Sequence, residues 1–63
     1  MDEEILELDS LQADNIIKTC RPLGKYWTKQ NGLYIGIDNS TGDAWVEEFE
    51  SYTQMIRWLT TNI

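Results

Sequence analysis

Residues 25–38 read KYWTKQNGLYIGID, and the Asn31-Gly32 pair in the middle of that stretch decides the fold. A two-residue hairpin turn of type I′ needs positive φ at both central positions, and Asn-Gly between β-prone runs is its strongest short signal. With Asn31-Gly32 as the loop, Gln30 pairs with Leu33, Thr28 with Ile35 and Tyr26 with Ile37. Side chains alternate along a strand, so Leu33, Ile35, Ile37 and Tyr26 share one face, expected to be the core face. Trp27, Tyr34 and Gly36 fall on the other.

Downstream, Asn39-Ser-Thr-Gly42 reads as a loop, followed by a third strand over residues 43–49. Two registers fit. A four-residue loop puts Ala44 and Val46 on the core face, with Trp45 opposite Gly36. A bulge at Gly42 shifts the pairing by one and turns Trp45 inward.

Each side of the strands carries a helix signal. Asp9 and Gln12 have capping-box spacing, and Ala13, Ile16, Ile17 and Cys20 then recur at i, i+3, i+4 and i+7. Pro22 disfavours the α conformation at Arg21, so this helix should span about residues 10 to 20. Ser51 and Gln54 repeat the capping-box spacing, and Tyr52, Met55, Ile56, Leu59 and Ile63 form the second stripe. Glu48 and Glu50 lie just before this helix, whose positive end favours anions. The expected fold is α+β: one small domain with a three-stranded antiparallel meander in the order α-β-β-β-α, its helices covering one sheet face.

The chain has 63 residues, enough for one domain over 1–63 with residues 1–8 as an acidic segment free to be flexible. A single cysteine precludes an internal disulfide and suits a reducing cytoplasm, with Cys20 read as a small buried hydrophobe. The acidic MDEEILELDS start does not read as a signal peptide, and no apolar run approaches the roughly 20 residues that span a bilayer. The net charge of −6 opposes non-specific binding to nucleic acid. The bases Lys18, Arg21, Lys25 and Lys29 nevertheless cluster between two acidic regions and give nucleic-acid binding as the alternative function.

Chemistry finds little footing. Counted from Asp38 as an EF-hand, Ser40, Gly42, Asp43 and Phe49 occupy positions three, five, six and twelve, so the glycine and the bidentate glutamate are both missing. Asn and Asp stabilise turns by bonding nearby backbone, and Gly42 supplies positive φ, which accounts for this loop without a metal. No P-loop spacing is present, and histidine, the usual catalytic base, is absent. The expectation is a protein without catalysis, cofactor or metal.

What remains is an outward face. With both helices on the Leu33, Ile35, Ile37 side, Trp27, Tyr34 and Trp45 would gather on the open side of the sheet, edged by Asp38, Asp43, Glu47 and Glu48. Exposed aromatics with charged neighbours are typical anchors of a protein interface. The acids also suit imitation of nucleic-acid phosphates towards a basic groove. A homodimer closed by the aromatic face is a further alternative.

The stretch from Leu33 to Leu59, an apolar strand followed by DNSTGDAWVEEF and a short helix ending RWL, resembles small uncharacterised proteins encoded by phages and prophages of Gram-positive bacteria. That resemblance implies a phage setting and carries no activity. The α-β-β-β-α order is similar to the double-stranded-RNA-binding domain. Where that domain has a basic cluster at the start of its last helix, this chain has Glu47, Glu48, Glu50 and Ser51, which argues against dsRNA binding. The functional expectation is a small cytoplasmic module that docks on a host or phage protein, with inhibition of a nucleic-acid-handling enzyme as its sharper form.

Overall fold

The computed structural model describes residues 5–61. Its elements run β1 (Ile5–Glu7), α1 (Ser10–Thr19), β2 (Gly24–Gln30), β3 (Leu33–Asn39), β4 (Trp45–Phe49) and α2 (Tyr52–Thr61). The α-β-β-β-α order is present within this series, but the sheet has four strands in spatial order β1-β2-β3-β4. It is mixed, because β1 lies parallel to β2, placing Ile5, Leu6 and Glu7 beside Lys25, Tyr26 and Trp27. A parallel pair needs a crossover, and α1 provides it. The expected three-stranded antiparallel sheet is thus corrected by an edge strand drawn from the acidic lead-in.

Local chemistry explains where the elements stop. Asp9 caps α1 by accepting from the Gln12 backbone N–H at 2.8 Å, and the Gln12 side chain accepts from the Asp9 N–H at 3.1 Å. At the other end Cys20 turns left-handed at φ 57° while its N–H donates to the Ile16 carbonyl. Cys20 is therefore a half-buried cap and not the core residue its place in the stripe suggested. The Asn31-Gly32 turn sets the β2–β3 pairing as expected, with Gln30 opposite Leu33, Thr28 opposite Ile35 and Tyr26 opposite Ile37. At α2 the Ser51 hydroxyl accepts from the Gln54 N–H at 3.1 Å; Ile63, the last member of its stripe, lies outside the described residues.

The helices do not share a face. Ala13 and Ile16 of α1 pack with Tyr26, Ile35, Ile37 and Leu8. α2 lies on the opposite side: a Cβ on Gly36 would meet Met55 and Trp58, Phe49 lies 5.7 Å from Trp58 between ring centroids, and Lys25 Nζ donates to the Leu59 carbonyl. Met55 and Leu59 are fully buried there. The apolar stripe of α2 needed an apolar partner, and the Trp27, Tyr34, Gly36 surface supplied one. α1 lies mainly over β2, whereas α2 lies over β3 and β4. A helix about 10 Å wide covers roughly two strands spaced about 4.8 Å apart, so each sheet face keeps an uncovered half.

The β3–β4 connection follows neither expected register. Trp45 pairs with Asp38, Val46 with Ile37 and Glu47 with Gly36, a slip of two residues that keeps the side-chain parity of the four-residue loop. Asn39 belongs to β3 and the loop occupies residues 40–44. The cause is Asn39 itself: fully buried, it accepts from the Ala44 N–H at 3.1 Å and donates Nδ2 to the Pro22 carbonyl at 2.9 Å. The Tyr26 hydroxyl donates to the same carbonyl at 2.9 Å, so one loop is fastened to the other through the end of the sheet. Asn39→Ala leaves the part-buried Ala44 N–H without its acceptor and removes the Nδ2 bond to the Pro22 carbonyl. It is expected to cost about 2 kcal/mol in urea unfolding; an unchanged midpoint would show the loops to be independent.

Candidate functional site

The residues expected to form one outward surface divide among the layer beneath α2, the β3–β4 connection and the β4 edge. Trp27 and Tyr34 do share a face, with centroids 5.9 Å apart, but Tyr52 of α2 packs on both at 5.2 and 6.0 Å. They are half-buried, so the open aromatic surface is corrected to an interlayer cluster beneath the start of α2. Tyr52 sat in the helix stripe, and only the side taken by α2 was missing. Trp45 does not fill the space over Gly36, which Trp58 occupies.

Asp38 is not an edge acid either. It is 3% exposed, faces Lys25 across the β2–β3 ladder, and its Oδ1 accepts from the Ser40 N–H at 3.1 Å and the Ser40 hydroxyl at 2.7 Å. Asp43 is exposed, and its Oδ2 accepts from the Thr41 hydroxyl at 2.8 Å. Both acids therefore support the turn, Asp38 from the end of β3 and Asp43 from within the loop. Among the described residues, no group of three or more His, Cys, Asp or Glu is placed to hold a metal ion. No described helix is long and apolar enough to cross a membrane.

The basic segment is dispersed as well. Lys18 pairs with Asp14 at 3.0 Å on the surface of α1, Arg21 is exposed beyond that helix, and Lys25 is buried. Lys29 lies 5.0 Å above the Tyr34 ring, a cation–π contact on the α2 side. These four side chains do not form one continuous patch.

Trp45, Glu47 and Glu48 remain together, all exposed on β4, with Glu50 just beyond. Trp45 is 62% exposed and Val46 41%. Alternation puts Trp45, Glu47 and Phe49 on the α2 side and Val46 and Glu48 on the α1 side, where both are exposed. Two grooves lie here. One of about 400 Å³ is lined by Trp45, Val46, Glu47 and Trp58. Another of about 530 Å³ is lined by Glu48, Phe49, Glu50, Gln54, Arg57 and Trp58. Both are lined by Trp58, and the Phe49 ring beside it lines the larger one. Phe49, Gln54, Arg57 and Trp58 were not foreseen as site residues. Their i, i+3, i+4 spacing from Gln54 to Trp58 would have placed three of them on one helix flank, but not against β4.

The edge can bind and orient a partner through aromatic contact, carboxylates and strand backbone. No family model, curated protein or solved structure matches this chain.

Proposed function

We infer that the protein is a small non-catalytic binding module, phage-related and cytoplasmic, that acts by docking on a partner protein through the β4 edge. The observation that carries this function is Trp45, 62% exposed on a terminal strand and bordered by the exposed Glu47, Glu48 and Glu50. A large aromatic held on a strand presents apolar area at little conformational cost, the property of an interface anchor. The carboxylates around it steer a basic partner and repel an acidic one. A basic groove on a nucleic-acid-handling enzyme is the natural counterpart, which makes the protein an acidic inhibitor. The phage setting rests on the resemblance of residues 33–59.

Capture from a lysate of the cells that encode the protein tests this. Trp45→Ala is expected to weaken retention of the bound protein by about tenfold or more, the cost of a central aromatic anchor. Glu47→Lys with Glu48→Lys should abolish retention at low salt, and retention by the native chain should decline as salt rises. Capture indifferent to all three changes removes the β4 edge as the docking surface.

A further inference from the structure

We propose that β4 receives its partner by strand addition, and that the added segment is an extended stretch of partner protein in which apolar residues alternate with Lys or Arg. This rests on the docking function above and gives it a partner chemistry. β4 ends the sheet, so among the described residues nothing pairs with the outward N–H and C=O groups of Trp45–Phe49. Such a row is a template for another strand. Natural edges are protected by proline, bulges or inward charges; β4 has no proline, and its five residues pair continuously with β3. Its protection is glutamate alone.

That choice selects the occupant. Glu47 projects to the α2 side and Glu48 to the α1 side, so a basic residue on either face of an added strand meets a carboxylate across it. Arg57 is the one base lining the two grooves, against Glu47, Glu48 and Glu50. Apolar residues on the α2 side of the added strand would lie along Trp45, Phe49 and Trp58, and those on the other side would meet Val46. α1 lies mainly over β2, and although α2 packs over β3 and β4, Trp45, Val46, Glu47 and Glu48 stay exposed along the edge. A second copy is a poor occupant: antiparallel pairing of two β4 strands crowds Glu47, Glu48 and Glu50 of both chains into one strip, and like charges across a ladder destabilise it.

The experiment uses the full chain and three blocked peptides of about eight residues, the length of an ordinary strand. One alternates lysine and valine, one alternates glutamate and valine, and the third is the lysine–valine peptide N-methylated throughout. The readouts are affinity from tryptophan fluorescence and amide hydrogen exchange at residues 45–49. The lysine–valine peptide should bind on the order of tenfold or more tighter than the glutamate–valine peptide at low salt. It should slow exchange on β4, and N-methylation should abolish both effects. Glu47→Lys with Glu48→Lys should reverse the charge preference.

Binding that survives N-methylation, or leaves exchange at 45–49 unchanged, overturns strand addition while docking at this face stands. Absence of binding by the lysine–valine peptide overturns the proposed partner chemistry. Slowed exchange on raising protein concentration alone identifies a second copy as the occupant and overturns it too. If the peptide results hold but Trp45→Ala and the charge reversal leave lysate capture intact, the docking function fails and the strand-addition edge remains.

Discussion

Gly36→Val is expected to lower stability by about 3 kcal/mol, enough to leave much of a domain this small unfolded in water. Gly36 lies in the second-from-edge strand β3, opposite Trp27 on one side and Glu47 on the other. A Cβ built there would lie 3.1 Å from Trp58 Cζ3 and 3.2 Å from both Met55 Cγ and Trp58 Cε3. Met55 is fully buried, and moving the Trp58 ring disrupts its contact with Phe49. β-propensity acts in the other direction, favouring valine in a strand by up to about 1 kcal/mol. Overpacking wins because the Met55 and Trp58 side chains of α2 must shift to make room for three added carbons, Cβ and two methyls. Gly36→Ala should cost about 1 to 2 kcal/mol for the same reason with less volume. Urea midpoints measure both. Trp58→Leu should recover part of the loss in a double variant, since the shorter side chain vacates the contact. A Gly36→Val chain as stable as the native one would mean that α2 does not seat on this glycine.

That contact also shows what sequence can and cannot convey. The β2–β3 register was legible because Asn31-Gly32 fixes it locally, and α1 was legible because Asp9, Gln12 and Pro22 mark its ends. β1 was not: three residues, Ile5–Glu7, pair in parallel with a strand beyond the whole of α1, and no turn chemistry announces a non-local partner. The side taken by α2 was not legible from its own apolar stripe, which fits either face of a sheet. Its trace was in β3 instead. Leu33-Tyr-Ile-Gly-Ile37 has no polar residue at alternate positions, the pattern of a strand covered on both faces. Giving both helices to one face left Trp27 and Tyr34 looking like an open surface. The exposed part of the site was legible in its residue types, Trp45, Glu47 and Glu48. Its setting at an uncovered edge depended on the placement of α2 and on the buried amide of Asn39, which sets the loop length.

Lys25→Met is the second large effect, expected to cost about 3 kcal/mol although it keeps the length and apolar stem of the side chain. Lys25 is 6% exposed, and its Nζ donates to the Leu59 carbonyl at 2.6 Å in the last turns of α2. The ammonium thus answers the partial negative charge of the helix end, and the buried Asp38 is its neighbour across the ladder. Methionine removes the charge and leaves the Leu59 carbonyl without that donor, with Asp38 facing a thioether. Burying a carboxylate beside an apolar group is the dominant penalty, and a double-mutant cycle isolates it. Asp38→Asn retains an oxygen that can accept from Ser40, so the Lys25→Met, Asp38→Asn pair should lose about 1 to 3 kcal/mol less than the two single changes combined. Strict additivity in urea unfolding would remove the coupling. The same cycle separates structure from docking. Asp38→Asn, assayed where it remains folded, should leave partner capture unchanged because its carboxylate faces inward. If β4 is the docking edge, reversing Glu47 and Glu48 should abolish capture while moving the unfolding midpoint little, because those carboxylates are exposed on β4.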